Sequence, residues 1–226
     1  MTRKNKPFEF VLESVTQHGV ADGVEELTLH TNAGEMPARL HPAGEGAPAV
    51  VWVGGAGGGL DGPAWGLYPR LAAQLTAHGI ASLRVHYRRP NYLEECVADT
   101  MLAVQYLALQ HHYRRIALVG HSFGGAVVIA AGALSEAVTA VVAMSSQTYG
   151  TNLAPQVSPR PLLLLHGTAD EILPATCSEM IYARAREPKE LKLYPNCRHG
   201  LDECREQVDH DVVAWLRQQL QGPEKG

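Results

Sequence analysis

A Gly-x-Ser-x-Gly pentapeptide at residues 120–124 restricts the possible folds of this chain more than any other feature. It closes an apolar run that predicts a strand over Ile116–Gly120, and it opens a small-residue stretch that predicts a helix over Phe123–Leu134. A sharp strand-to-helix turn lifts a serine above the sheet edge, and it needs glycines because side chains there would collide with strand and helix. The pattern therefore predicts a nucleophile at Ser122. The alternative, a serine that merely caps a helix, explains neither glycine.

A serine hydroxyl is a poor nucleophile at neutral pH and needs an adjacent base, which needs its own orienting partner. Where a nucleophilic serine occupies a strand-to-helix turn of this kind, the usual order along the chain is serine, acid, histidine. Two histidines, His199 and His210, follow both Ser122 and a candidate acid. His210 falls inside the predicted final helix, where we expect it to face solvent. His199 lies in a loop that leaves a strand, where functional groups of α/β sheets collect, so we predict it as the base.

The candidate acid follows a buried-type run of four leucines at residues 162–165. A short turn after this run ends in Asp170, and Glu171 is its neighbour. The acid should lie at the same sheet edge as Ser122 and His199, because it must reach the histidine. The short spacer after the strand favours Asp170 over Glu171.

The glycine-rich loop at residues 54–59 leads from a predicted strand into a predicted helix. Such a loop can cradle a phosphate, but this one lacks the Gly-Lys-Ser/Thr and the spaced glycines of nucleotide-binding loops. Beside a nucleophilic serine it fits an oxyanion hole, in which backbone N–H groups must approach a developing negative charge. We predict Phe123 and Ala56 as the N–H donors, with Gly55 and Gly57 as alternatives to Ala56.

Short β-rich runs alternate with longer helical stretches, which is typical of a mostly parallel sheet with helices on both faces. We expect a three-layer α/β/α sandwich, a central sheet of about eight strands and no large cap domain, because the connections are short. The whole chain is expected to form one domain, with residues 1–23 as an N-terminal extension and residues 221–226 as a frayed tail. Predicted strands are Val24–Thr31, Met36–His41, Ala49–Val53, Ile80–Tyr87, Ile116–Gly120, Val138–Met144, Leu162–His166 and Leu191–Tyr194. Predicted helices cover about 63–78, 93–110, 123–134, 174–186 and 204–220.

Composition excludes several classes of protein. The net charge is −4, and the 19 Lys and Arg residues form no stripe, so nucleic-acid binding is not expected. Four cysteines without a CxxC pair favour a reduced, cytoplasmic setting. No apolar segment follows the basic N-terminus, so no secretory signal is expected.

Residues 126–144 are long and apolar enough to span a membrane, but Gly132, Ser135 and Glu136 interrupt them, which favours a buried helix and strand.

The remaining histidines show no metal-ligand spacing, so we expect neither a metal nor another cofactor. The sequence leaves a homodimer open. His121, His166, Cys197 and Cys204 lie near the motifs and are expected to pack around or support them. A shallow substrate pocket is predicted from Leu60, Trp65, Phe123, Tyr149 and Leu201.

Three motifs resemble those of the α/β-hydrolase superfamily: residues 120–125, His-Gly-Thr-Ala-Asp at 166–170 and Arg-His-Gly at 198–200. The resemblance extends from about Val24 to Leu220 and is greatest to small, capless esterases and the dienelactone-hydrolase-like branch. It implies a serine hydrolase that cleaves carboxylic esters through an acyl-enzyme on Ser122, and the expected partner is a small-molecule ester with a short acyl chain.

Two departures from this family pattern keep other functions open. Gly54-Gly55 stands where His-Gly usually opens the oxyanion loop, and Ser122 stands where dienelactone hydrolases proper have cysteine. The glycine loop also resembles that of acyl-CoA thioesterases in the same superfamily. The alternatives are therefore a thioesterase, another acyl transferase or a peptidase on the same three residues. A non-catalytic binding protein of this fold is a further alternative, although all three positions and the glycine loop are intact.

Overall fold

A computed structural model describes residues 10–222, and these residues build one sheet of nine strands between two layers of helices. The strands are β1 (Leu12–Ala21), β2 (Val24–Thr31), β3 (Gly34–His41), β4 (Ala49–Val53), β5 (Ala81–Val85), β6 (Ile116–His121), β7 (Val138–Met144), β8 (Leu162–Gly167) and β9 (Lys189–Tyr194). The helices are α1 (Pro63–Thr76), α2 (Leu93–Gln110), α3 (Phe123–Leu134), α4 (Ala154–Val157), α5 (Thr176–Arg184) and α6 (Arg205–Gln221).

The order of the strands is β1-β2-β3-β5-β4-β6-β7-β8-β9. Pairing is antiparallel from β1 to β5 and parallel from β5 to β9. The predicted mostly parallel α/β sheet is therefore confirmed, and the ninth strand is β1, which the N-terminal extension contributes. Residues 223–226 of the predicted frayed tail lie outside the described residues, whereas Gln221 ends α6.

Successive side chains of a strand point to opposite faces of the sheet, so the sheet separates two apolar cores. In β4, Val50 and Trp52 pack on one face with residues of α1 and α6, whereas Val51 and Val53 pack on the other with residues of α2 and α3. The apolar stretch at 126–144 divides into α3 and β7, as predicted. None of the helices within residues 10–222 is long and apolar enough to cross a membrane.

The start of α1 differs from the predicted helix over residues 63–78. Ala64, Trp65 and Gly66 have φ angles of 50°, 56° and 81°, so they form a left-handed turn before the regular helix. The Arg70 side chain stabilises this turn, because its Nη2 donates to the carbonyl of Ala64 at 3.0 Å and its Nη1 to that of Trp65 at 3.1 Å. The same guanidinium pairs with Asp209 of α6. Residue-by-residue patterns do not reveal such a turn, because its partner lies on a distant helix.

The cysteines also differ from expectation. The sequence favoured a reduced state, but Cys197 and Cys204 form a disulfide that closes the loop between β9 and α6. Cys96 and Cys177 are free thiols. The two bonded residues are seven positions apart in sequence, and the fold of the loop between them brings their sulfur atoms together.

Candidate active site

Ser122 occupies a sharp turn between β6 and α3. Its φ and ψ angles are 58° and −120°, a conformation that non-glycine residues rarely adopt and that marks functional sites. Its N–H donates to the carbonyl of Met144 at 2.8 Å, which ties the turn to β7. A Cβ atom at Gly120 would lie 2.2 Å from the carbonyl oxygen of Gly124, and one at Gly124 would lie 2.4 Å from that of Gly54. Both glycines are therefore required by close backbone approach.

His199 lies between the serine and a carboxylate. Its Nε2 is 3.0 Å from Oγ of Ser122, and its Nδ1 is 2.7 Å from Oδ2 of Asp170. With the proton on Nδ1, the imidazole donates to the carboxylate and offers a lone pair to the serine hydroxyl. The fold thus joins three loops, those after β6, β8 and β9, into one hydrogen-bonded chain. This arrangement can take a proton from Ser122 and hold the resulting imidazolium against a negative charge.

Asp170 has a side chain with no solvent exposure. Burial raises its pKa, but this effect is outweighed by hydrogen bonds from the N–H of Leu173, from His199 and from the N–H of Ile172, so the pKa lies below its ordinary value. The two backbone bonds, of 2.8 and 2.9 Å, both end on Oδ1 and leave Oδ2 for His199. Glu171, the alternative acid, is exposed. The structure therefore places Asp170, and not Glu171, against the histidine, while His210 is exposed on α6.

His121 and His166 support this chain from two sides. Nε2 of His121 donates to the carbonyl oxygen of His199 at 2.8 Å, and burial lowers the pKa of His121 to about 4. Nε2 of His166 lies 3.0 Å from Oδ2 of Asp170, and its Nδ1 lies 2.7 Å from Oγ of Ser178. A supporting position was predicted for both histidines from their place near the motifs. Ser178 was missed, because it lies on α5 outside every motif.

The glycine loop lies beside the serine. A Cβ atom at Gly55 would be 3.6 Å from Cβ of Ser122, so this part of the loop borders the nucleophile. The loop is held in shape by a hydrogen bond from the N–H of Gly58 to the carbonyl of Gly55 (2.9 Å) and one from the Tyr87 hydroxyl to the carbonyl of Gly54 (3.0 Å). The predicted donor Ala56 is exposed in the middle of this loop. The N–H of Phe123 begins α3 and, like the first N–H groups of any helix, has no intrahelical acceptor.

The predicted substrate-binding side chains do not gather in one place. Leu201, two residues after His199, is fully buried in the apolar core, and Leu60 is half-buried. Trp65 is exposed beside the start of α6, at a hollow of about 430 Å³, whereas exposed Tyr149 borders a separate apolar groove of about 650 Å³ between α2 and α3. Within residues 10–222, no cluster of three or more histidine, cysteine, aspartate or glutamate side chains is arranged to hold a metal ion.

Known structures share this architecture. A dienelactone hydrolase from Anabaena variabilis superposes with a TM-score of 0.76 at 18% identity, over 88% of this chain and 99% of that one. Est1E from Butyrivibrio proteoclasticus superposes with a TM-score of 0.73, also at 18% identity, over 87% of this chain and 99% of that one. At this identity the likeness demonstrates the α/β-hydrolase fold.

Related protein sequences match only part of this chain. The uncharacterized protein YfhR of Escherichia coli O157:H7 is 34% identical over 137 residues, which are 47% of this chain and 48% of YfhR. The YfhR protein of Escherichia coli K12 is 42% identical over 78 residues, which are 31% of this chain and 27% of that protein. The match thus spans about half the length of these relatives or less. The sequence pattern of the dienelactone hydrolase family, in contrast, matches residues 66–218, a stretch that includes Ser122, Asp170 and His199. The chain therefore belongs to the dienelactone hydrolase family.

Proposed function

We propose that this protein is a serine hydrolase that cleaves carboxylic esters of small molecules through an acyl-enzyme on Ser122. The observation that carries the proposal is the hydrogen-bonded chain from Ser122 through His199 to Asp170, with distances of 3.0 and 2.7 Å. Membership of the dienelactone hydrolase family supports the choice of an ester bond, because a lactone is a cyclic ester. The strained backbone of Ser122 supports the choice of nucleophile.

In the acylation half of the reaction, Oγ of Ser122 attacks the carbonyl carbon of the ester while Nε2 of His199 takes the hydroxyl proton. Asp170 stabilises the imidazolium that forms, and its lowered pKa keeps it charged for this role. The tetrahedral intermediate collapses when the C–O bond to the alcohol breaks and His199 returns the proton to the leaving oxygen.

In the deacylation half, His199 takes a proton from water, and the water oxygen attacks the acyl carbon. The bond to Oγ of Ser122 then breaks, and the serine regains its proton from His199 as the carboxylic acid leaves. Each tetrahedral intermediate carries a negative oxygen that needs N–H donors. We assign these to Phe123 and to Ala56 on the glycine loop, with Gly55 as the neighbour nearest to Ser122.

The test of this proposal is covalent labelling with a fluorophosphonate, which modifies only an activated serine. We expect one modified peptide, the one that contains Ser122, and loss of both labelling and ester hydrolysis in Ser122→Ala. A matched control is Ser14→Ala, since Ser14 is exposed on the edge strand β1. Equal labelling of Ser122→Ala and the unmodified protein would contradict the assignment.

A panel of an ester, a thioester and an amide with the same acyl group then identifies the type of bond that the protein cleaves. We expect the highest kcat/KM for short-chain oxygen esters over the thioester and the amide of the same acyl group. A higher kcat/KM for the thioester would make the protein a thioesterase on the same three residues. Absence of labelling and turnover in the unmodified protein would favour a binding protein.

A further inference from the structure

His166 and Ser178 form a second buried hydrogen-bonded pair behind the Asp170 carboxylate. His166 is at the end of β8 and Ser178 is on α5, and both are fully buried. Oγ of Ser178 is 2.7 Å from Nδ1 of His166, whose Nε2 is 3.0 Å from Oδ2 of Asp170. The connection therefore runs from α5 through β8 to the loop that faces His199.

The proton on the His166 ring is placed by its neighbours. Nε2 faces Oδ2 of Asp170 and, at 2.8 Å, the carbonyl oxygen of Leu173. An ionised carboxylate and a carbonyl can only accept, so Nε2 must carry a proton. Nδ1 then offers its lone pair to the hydroxyl of Ser178, which donates. In the other tautomer a lone pair of Nε2 would face those of Asp170 and Leu173, so these two acceptors set the tautomer, and the Ser178 hydroxyl satisfies the buried Nδ1.

The carboxylate of Asp170 has all its acceptor sites filled. Oδ1 receives the N–H groups of Ile172 and Leu173, and Oδ2 receives His199 and His166. A carboxylate offers about four lone-pair sites, so each donor fixes one of them. Without His166, nothing on that side would hold Oδ2 in line with Nδ1 of His199, and a buried acceptor site would lose its partner.

We propose that His166, whose buried Nδ1 is held by Ser178, is a positioning residue that fixes the Asp170 carboxylate for His199. The inference rests on the proposed function, because it assigns Asp170 the role of orienting the base. His166 touches neither Ser122 nor the reacting atoms, so it acts through Asp170 alone. A change at His166 should therefore lower kcat and leave KM nearly unchanged.

The test compares His166→Met, which removes the donor and keeps an apolar side chain of similar length, with His166→Gln, whose amide can still donate to Oδ2. We expect kcat to fall about 10- to 100-fold in His166→Met, the factor that follows from losing a hydrogen bond to a charged group. His166→Gln should recover most of this loss. His41→Met is the matched control, because His41 is also buried and hydrogen-bonded but lies at the end of β3.

A second readout does not depend on turnover. The proton between Nδ1 of His199 and Asp170 should give a low-field NMR resonance in the unmodified protein, and this resonance should shift or broaden in His166→Met and return in His166→Gln. If His166→Met does not fold, Ser178→Ala provides the same comparison with a smaller change.

The outcomes separate the two proposals. If Ser122→Ala abolishes turnover while His166→Met and Ser178→Ala leave both kcat and the resonance unchanged, the positioning role is wrong and the proposed function stands. If Ser122→Ala retains turnover, the proposed function is wrong, and the NMR resonance alone decides whether His166 positions Asp170. An equal loss of kcat in His166→Gln and His166→Met would also contradict the role of the donated hydrogen bond.

Discussion

His121 donates a hydrogen bond from Nε2 to the carbonyl oxygen of His199, although the two residues are 78 positions apart. His121 directly precedes Ser122, so this bond ties the turn of the nucleophile to the loop of the base. The pKa of His121 is lowered to about 4, mainly by burial, so the ring stays neutral at ordinary pH and donates from one nitrogen only.

We predict that His121→Ala lowers kcat about fivefold, which corresponds to the loss of about one neutral hydrogen bond that holds His199 in place. The measurement is steady-state kinetics on the preferred ester, and His210→Ala on the exposed face of α6 is the matched control. Unchanged kcat in His121→Ala would show that the His199 loop keeps its position without this bond.

The second prediction concerns the two neighbouring acids. Asp170→Asn should lower kcat by as much as about 10⁴-fold, because an amide cannot support the required tautomer and charge of His199. Glu171→Gln should change kcat less than twofold, since Glu171 is exposed while Asp170 contacts the histidine. Steady-state kinetics of both variants, with circular dichroism to confirm folding, makes the comparison. The reverse ranking would move the acid to Glu171.

The third prediction concerns the dependence of stability on pH. Burial, and secondarily the Arg84 guanidinium, lower the pKa of His41 from 6.5 to about 4. The folded state therefore binds fewer protons than the unfolded state between these values. The free energy of unfolding has its full value above pH 6.5 and decreases as the pH falls towards 4. The slope contributed by His41 approaches about 1.4 kcal/mol per pH unit in this window.

Urea unfolding at several pH values between 4 and 7 tests this slope. His41→Gln keeps an acceptor for Arg84 but cannot be protonated in this range, so the free energy of unfolding should depend less steeply on pH in this variant. His210→Gln is the control and should retain the slope of the unmodified protein. Equal slopes in His41→Gln and the unmodified protein would exclude His41 as a source of acid sensitivity.

The fourth prediction concerns the disulfide that encloses His199. Replacing Cys204 by serine should lower the free energy of unfolding by about 2 kcal/mol, because the short loop gains freedom in the unfolded chain. The expected fall in the melting temperature is roughly 4 to 8 °C. Cys177→Ser, at a free thiol, is the control for the substitution itself.

A thiol reductant should reproduce the effect of Cys204→Ser in the unmodified protein and have no further effect on the variant. Calorimetry with and without reductant measures both cases. If the reductant lowers the melting temperature of Cys204→Ser as much as that of the unmodified protein, the stabilising disulfide is not the one between Cys197 and Cys204.

The sequence predicted those parts of the molecule whose physical cause is local. Gly120 is required by its contact with Gly124, only four residues away, and the alternation of β-rich runs with helical stretches predicted the layers of the fold. Strand ends such as those before Asp170 and His199 meet at one sheet edge, so these residues were expected to converge, and the structure brings them into contact. Their catalytic role stays a prediction.

Other features depend on contacts between distant segments and left no local pattern. Ser178 reaches Asp170 only through His166, and the left-handed turn at Trp65 depends on Arg70 and its partner on α6. The substrate pocket predicted from Leu60, Trp65, Tyr149 and Leu201 stays a prediction. The structure buries Leu201, half-buries Leu60 and exposes Trp65 and Tyr149 at two separate hollows. Loop conformation decides which side chains share a pocket, and residue types alone do not specify it.

The left-handed turn also has a spectroscopic consequence. The chain has three tryptophans, of which Trp52 and Trp215 are 0% and 4% exposed and Trp65 is 77% exposed. The N–H of Ala64, next to Trp65, donates to the carbonyl of Gly200, next to His199, at 2.7 Å. A water-soluble collisional quencher such as acrylamide therefore acts on the emission of Trp65 far more than on that of the two buried indoles. The quenchable emission provides an intrinsic fluorescent reporter, without any added label, for movement of the loop that carries His199.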